Sequence, residues 1–304
     1  MKESEYEIYF TLCSGAVFRK LLKLQDIIFR FMPDKCGGFY MKKDGAAKNY
    51  YGSLCTRMYE ILHEKAPQDE LDFYLSYAKK GKRILEALCG SGRFFVPFYE
   101  RGFDIHGVDL SAEMLEKLLE KAPGANVVCE DIVQYAPGQR FDYIFISSGS
   151  VSLFTDMELC KAVLKKIKEL LLPGGRFVFA VDTVADRCAE DEEYREDVSV
   201  TTKEGMCLCL RTKNHYDEES RTQFSPGIYE LYDGETLLQE EFMDFQTHLY
   251  GFGEMEQYLE EAGFKVEAVY SDYSKHSAED DSCEMFLFEC THKKPPTPQR
   301  NFML

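Results

Sequence analysis

The chain of 304 residues has no stretch approaching the roughly 18 uninterrupted apolar residues that a membrane-spanning helix needs. Its first residues, MKESEYE, are too acidic for a secretory leader and precede no apolar core with a clear cleavage site. Positive charge is also scarce. Against 53 Asp and Glu stand 36 Lys and Arg, a net charge of −17. Such a surface repels phosphate backbones and argues against a nucleic-acid partner. Lys161, Lys165, Lys166 and Lys168 fall together on one predicted helix and read as its solvated face. A disulfide framework is missing too: the 11 cysteines are scattered along the chain, which points to a reducing compartment. Cys207 and Cys209 share one face of a predicted strand, but zinc would need two further ligands, and none sits nearby in the sequence. The expectation is a cytoplasmic protein with no membrane partner and no metal.

What the chain does have is a change of pattern along its length. Residues 6–32 carry a helix-type apolar period through Val17, Leu21, Leu24, Ile28 and Phe31, stopped by Pro33 and Gly37-Gly38. Helix-like stretches follow at 50–63 and 69–80. From Arg83 strands and helices alternate: strands at 83–88, 104–108, 125–129, 141–147 and 176–182, helices near 92–101, 111–121 and 156–172. Alternation of this kind predicts a parallel sheet with helices on both faces. Residues 184–200 form an acidic bridge without apolar period. Three strand-like runs at 205–216, 221–232 and 235–249 then follow without a helix between them, predicting a three-stranded antiparallel insertion. A helix at 251–264 and strands at 265–273 and 284–290 close the pattern. The organisation expected is an N-terminal helical cap (1–80), an α/β core (81–183 and 250–291), an antiparallel β insertion covering the substrate (184–249) and a flexible tail (292–304).

The most informative stretch is 83–109, RILEALCGSGRFFVPFYERGFDIHGVD. Strand, glycine turn, helix, strand and acid are the parts that hold an adenosine-type ligand at the carboxyl edge of a parallel sheet. A dinucleotide fingerprint wants a small residue three places after the second glycine, and Phe95 stands there. Glu86, four residues before Gly90, would sit close to any phosphate. A cationic ligand suits this acid-flanked turn better than pyrophosphate does, and S-adenosylmethionine is such a ligand.

Residues 83–182 resemble a class I S-adenosylmethionine-dependent methyltransferase of the small-molecule type. Glu86-Ala87-Leu88-Cys89-Gly90-Ser91-Gly92 is similar to the family's E/D-x-G-x-G-x-G motif, with Leu88 in place of the first glycine. VDLSAEMLEKL (108–118), CEDI (129–132), FDYIFISSGSV (141–151) and LLPGGRFVFAVDT (171–183) resemble the motifs that follow, in order and at family-like spacing. The resemblance implies a doubly wound, mostly parallel seven-stranded sheet with S-adenosylmethionine bound at its edge. It implies that Glu86 holds the methionine amino group and that Ala87, Cys89, Gly90, Gly92 and Arg93 line the turn. Asp109 would take the ribose hydroxyls, with Leu110 and Met114 near the adenine, and Asp131 and Ile132 would face the adenine from the third motif. Ser147 at the end of the fourth strand, and Tyr50 or Tyr51 leaning over the cofactor, complete the implied set.

The methyl acceptor is less legible. Methyl transfer is a displacement at a sulfonium carbon, so alignment in a dry cavity is the main task. A general base is needed only where the acceptor must lose a proton. The candidates are His248 and Tyr250 at the end of the insertion, and His63 before the core. Ser147-Ser148-Gly149-Ser150 lacks the Asn/Asp-Pro-Pro-Tyr/Phe shared by enzymes that methylate amino groups of DNA and glutamine. No Pro-Cys nucleophile lies there either. The expected acceptor is therefore an N or O nucleophile of a small molecule, enclosed by a monomer or homodimer. A non-catalytic S-adenosylmethionine sensor and a nicotinamide-dependent oxidoreductase are the competing readings.

Overall fold

The structure, a computed structural model, describes residues 48–292. The helix expected over 6–32 lies outside them, as does the tail expected over 292–304 apart from its first residue. Two helices, α1 (Ser53–Leu62) and α2 (Gln68–Leu75), lead into the sheet. Then β1 (Arg83–Ala87), α3 (Phe95–Glu100), β2 (Asp104–Asp109), α4 (Ala112–Lys121), β3 (Asn126–Cys129), β4 (Phe141–Ile146), α5 (Met157–Leu170) and β5 (Leu171–Asp182) alternate. After the insertion come α6 (Glu254–Ala262), β13 (Phe264–Tyr270) and β14 (Met285–His292). The sheet order is β13-β14-β5-β4-β1-β2-β3. The first five strands are parallel, and β14 runs antiparallel to both β5 and β13. The parallel sheet expected from the alternation is present, and so is the doubly wound, mostly parallel seven-stranded form implied by the resemblance.

Both faces of the central strands are apolar because helices cover both. On one face Leu85, Ile144, Ile146, Phe177 and Phe179 pack against α5 and α6 through Leu164, Ile167 and Leu259. On the other, Ile84, Phe145 and Val178 meet α2 and α3 through Tyr74, Phe95 and Phe98. Strand order reverses between β1 and β4. That switch point opens a crevice at the carboxyl ends of the strands, where a ligand can enter.

The insertion corrects the expectation of three strands. It has seven strands, β6 (Arg195–Thr201), β7 (Cys207–Thr212), β8 (His215–Asp217), β9 (Thr222–Phe224), β10 (Gly227–Asp233), β11 (Thr236–Met243) and β12 (Gln246–His248). They form a four-stranded sheet, β11-β10-β7-β6, and a three-stranded one, β12-β9-β8. Each of the three expected runs breaks once, and the breaks are joined. Lys213 N–H donates to Pro226 O at 3.3 Å, and Ser225 N–H donates to Phe245 O at 2.8 Å. Ser225 Oγ donates to Asn214 Oδ1 at 2.7 Å. Pro226 has no N–H to continue a ladder, so the strands pass from one sheet to the other here. The strand β6 lies partly within the stretch expected to be an acidic bridge without apolar period. Its Val198 and Val200 are buried, while Asp197 is buried with them and accepts a hydrogen bond from Thr212 Oγ1.

The insertion leaves and rejoins the core at one point. Tyr250 N–H donates to Asp182 O at 2.9 Å and Val184 N–H donates to Tyr250 O at 3.2 Å. The inner face of the four-stranded sheet packs on α1, with Val198, Leu208, Leu210 and Leu231 against Leu54, Met58 and Leu62. Among the described residues no helix is long and apolar enough to cross a membrane.

Candidate active site

The turn after β1 carries the first part of the site. Leu88, Gly90 and Gly92 all have left-handed backbones, with φ of 57°, 52° and 86°. A leucine in that region is strained, and glycine is the residue that adopts it freely. This is the position where the resembled motif has its first glycine. A Cβ on Gly92 would stand 2.7 Å from Leu118 Cγ and 3.1 Å from Val96 Cγ2, so the second glycine is needed for helix packing as well as for the turn.

The Asp109 carboxylate ends β2 and ties the turn to the start of α4. Oδ2 accepts Gly90 N–H at 2.7 Å and Oδ1 accepts Ser111 N–H at 2.9 Å. Burial pushes the Asp109 carboxyl up, and these amide bonds pull it back only in part. Ser111 caps α4 by accepting Met114 N–H, and its hydroxyl donates to Tyr51 O at 2.8 Å. Tyr50 Oη donates to Glu113 Oε2 at 2.6 Å. The two tyrosines thus dock the segment before α1 on the helix that follows Asp109.

Glu86 is 1 % exposed in the middle of the sheet edge. Ser147 Oγ donates to its Oε1 at 3.1 Å, while Oε2 has no partner among the described residues. Burial holds the Glu86 carboxyl well above the usual carboxylate range, and Asp109 and Glu70 add to the effect. Arg93 is nearby, its guanidinium bonded to Ser148 Oγ and 3.8 Å from Glu70 Oε2. Glu70 Oε1 also accepts Ser148 N–H at 2.8 Å.

Other expected residues are placed less centrally. Leu110 is 55 % exposed. Asp131 is exposed, and its Oδ1 accepts Val133 N–H at 2.8 Å in an Asx turn, beside the buried Ile132. Met114 is buried under the glycine turn, 3.7 Å from where a Gly90 Cβ would be. Ala87 and Cys89 are buried in the two core layers that flank the turn.

A cavity lies between this edge and the insertion. Tyr51, Tyr59, His63, Glu70 and Arg93 line it from the core side, with Ser148–Ser150 beside them. Leu210, Tyr229, Met243 and Phe245 line it from the insertion, and Asp182, Tyr273 and Glu284 close its far side. His248 and Tyr250, the expected catalytic pair, are not among its walls. The His248 ring lies 2.8 Å from Glu254 Oε1 and 3.1 Å from Ser220 O, and it is 4 % exposed. The Tyr250 hydroxyl is fully buried against Cys160 Sγ at 3.5 Å. Both serve the base of the insertion, where the chain rejoins the core. His63 does line the cavity. Its Nδ1 is buried without a partner, and burial with the nearby Arg93 charge brings the ring down to about 3.

Tyr59 and Glu70 were not singled out from the sequence. The signal for the first was there: Tyr51, Cys55, Tyr59 and His63 recur every four residues, and all four line the cavity, Cys55 and Tyr59 from α1 and the other two from its ends. Glu70 is an acid set among the buried Leu71, Phe73 and Tyr74 of α2, which only the fold distinguishes from a solvated one.

Comparison with known proteins agrees with this geometry. The methyltransferase domain family matches residues 59–269. A relative from Geobacillus sp. (strain WCH70), named "Putative methyltransferase", is 26% identical over 241 residues, covering 75% of this chain and 95% of the relative. Among solved structures, an S-adenosylmethionine-dependent methyltransferase from Clostridium acetobutylicum ATCC 824 superposes with a TM-score of 0.64 at 18% identity, over 77% of this chain and 96% of the other. The sugar N-methyltransferase KedS8 from Streptoalloteichus sp. ATCC 53650 gives 0.62 at 16% identity, over 86% and 100%. At such identities the structural likeness shows the shared fold. The fold and the acid-flanked glycine turn define a class I methyltransferase that uses S-adenosylmethionine. The chain belongs to the methyltransferase domain family.

Proposed function

We propose that this enzyme moves a methyl group from S-adenosylmethionine to an N or O nucleophile of a small molecule enclosed between the core and the insertion. The observation that carries the reading is the unpartnered Glu86 Oε2, buried at the foot of the glycine turn. A buried carboxylate oxygen without a donor is costly, and the cofactor's ammonium group is a donor of the right charge. In this reading Glu86 and Ser147 receive the methionine amino group, and Arg93 pairs with the methionine carboxylate. Asp109 accepts from the ribose hydroxyls, Met114 packs under the adenine, and the second oxygen of Asp131 takes the adenine amino group. Tyr51 sits at the boundary between the cofactor crevice and the acceptor chamber.

The chain's own contribution to the reaction is alignment and dryness. Donor and acceptor must meet in line at the methyl carbon, and water must be kept from it. The insertion supplies the apolar cover through Leu210, Met243 and Phe245. A nicotinamide reading is opposed by Phe95, fully buried with its ring 3.1 Å from the position of a Cβ on Gly107. That ring occupies the contact between helix and strand that a dinucleotide site keeps small.

The experiment is calorimetric titration of the full chain with S-adenosylmethionine and with NAD, followed by release of S-adenosylhomocysteine in the presence of candidate acceptors. Binding of the first ligand alone, with turnover, supports the reading. Binding of NAD alone refutes it, and tight cofactor binding without turnover on any acceptor favours a sensor.

A further inference from the structure

The chamber beyond the glycine turn has a composition of its own. Among its described walls the charged side chains are four carboxylates, Glu70, Asp182, Asp186 and Glu284, and one guanidinium, Arg93. Arg93 lies 3.8 Å from Glu70 Oε2 and is bonded to Ser148 Oγ, so it offsets one of the four. Four tyrosines, Tyr51, Tyr59, Tyr229 and Tyr273, face the same space. Tyr51 and Tyr59 meet edge to face at 6.0 Å, and His63 lies on Tyr59 at 4.6 Å. His63 is 2 % exposed, and its Nδ1 has no hydrogen-bond partner among the described residues.

Resting on the methyltransferase reading above, we infer that the acceptor is an amine, methylated on nitrogen, with His63 accepting hydrogen from that nitrogen and the tyrosine faces surrounding it. In the step the lone pair of the neutral amine forms the N–C bond as the C–S bond breaks, its electron pair staying on sulfur. Positive charge leaves sulfur and appears on nitrogen, and the new ammonium gives up its proton to water after release. Aromatic faces and carboxylates stabilise charge arriving at that nitrogen. An anionic acceptor would meet repulsion from the same walls. A hydroxyl acceptor would add the need for a base to hold its proton, for which the imidazole of the described chamber is poorly suited, since burial and Arg93 bring it down to about 3, leaving only the carboxylates. It can accept a hydrogen bond at neutral pH but retains a proton poorly.

The test uses the full chain, saturating S-adenosylmethionine and matched acceptors: benzylamine with benzyl alcohol, cyclohexylamine with cyclohexanol, and glucosamine with glucose. S-adenosylhomocysteine should form only with amine members. His63→Leu should lower kcat/KM for the amine by about 10- to 100-fold with cofactor affinity unchanged, and His63→Gln, which keeps an acceptor atom, should recover much of it. Turnover of an alcohol member at a comparable rate overturns the inference. So does turnover that His63→Leu leaves untouched, or no turnover with any pair. The calorimetric binding of S-adenosylmethionine, read separately, tells whether the methyltransferase reading falls with it.

Discussion

Ser147 Oγ occupies one oxygen of Glu86 and leaves the other bare, inside a sheet edge that water does not reach. The serine comes from the end of β4 and the glutamate from β1, the two strands between which the sheet order reverses. The carboxyl is thus half satisfied by the protein and half reserved. Its desolvation is the physical cost of a prepared binding site.

That cost should be visible in stability. Burial raises the Glu86 carboxyl in the folded state. A group raised in this way contributes its full stability below its unfolded value, about 4.3, and loses it as pH rises toward the folded value. Glu86→Gln removes the penalty. The cofactor-free variant should melt about 2–4 °C higher than the parent at pH 8, roughly 1 kcal/mol, with no gain at pH 4. Affinity for S-adenosylmethionine should fall about 10- to 100-fold at pH 8, because the amide cannot pair with an ammonium. Scanning fluorimetry at the two pH values and calorimetry check both halves. Equal melting shifts at both pH values would mean that the Glu86 pKa does not differ between the folded and unfolded states.

Asp109 supports the turn and, in the proposed reading, the ribose as well. Asp109→Ala removes the acceptor for Gly90 and Ser111 amides together with the ribose contact, and binding should weaken by about 1.5–3 kcal/mol. Asp109→Asn keeps one carbonyl oxygen, so it should hold more of the fold while still losing affinity. Calorimetry showing unchanged affinity in both variants would remove Asp109 from the cofactor site.

How much of this could be read before any coordinates depends on the kind of information each residue carries. Strand β1, its glycine turn and the acid closing β2 are local, and their order in the chain is their order in space, so Glu86, Gly90, Gly92 and Asp109 were legible together. The strained Leu88 was visible only as a departure from a motif; its φ of 57° shows that the leucine adopts the glycine conformation. The insertion was legible as antiparallel strand but not as two sheets, because the break at Asn214, Ser225 and Phe245 depends on contacts across three strands. His248 and Tyr250 drew attention by standing where the insertion ends. Nothing in the sequence says which side of that junction faces a cavity, and Glu254 and Cys160 turn both residues inward. His63 and Tyr59 face the chamber because α1 packs on the insertion, a contact formed by residues nearly 200 apart in the chain.

That packing has a specific anchor at Glu241. Gly52 precedes α1 with no side chain to cap it. The Glu241 carboxylate reaches over from β11 and accepts Leu54 N–H and Cys55 N–H, each at 2.9 Å, with Ser53 Oγ at 3.1 Å. Negative charge at a helix N-terminus is favourable, and losing such a cap costs about 0.5–2 kcal/mol. Glu241→Ala should therefore lower the melting temperature by a few degrees, about 2–4 °C per kcal/mol at this chain length. It should also raise KM for the acceptor, since α1 carries Tyr59 and is capped by His63, with cofactor affinity nearly unchanged. A variant that loses cofactor affinity as strongly as acceptor affinity would show that α1 orders the whole crevice instead of the chamber alone.

Gly92 tests the turn from the side of sterics. Its φ of 86° disfavours any side chain, and an added methyl would fall within 2.7 Å of Leu118 Cγ and 3.1 Å of Val96 Cγ2. The first conflict is local backbone strain; the second forces α3 and α4 apart. Strain of this kind costs about 1–3 kcal/mol, and overpacking a tight contact costs about as much again. Gly92→Ala should reduce stability by several kcal/mol and abolish measurable cofactor binding in the fraction that stays folded. Gly90→Ala should cost less, because a Cβ at Gly90 finds only Met114 Cε, at 3.7 Å, so the remaining penalty is its φ of 52°. Denaturant melts of the two variants, read with the slope as well as the midpoint, should rank Gly92→Ala well below Gly90→Ala. The reverse ranking would show that close approach of α3 and α4 is not what requires glycine at the end of this turn.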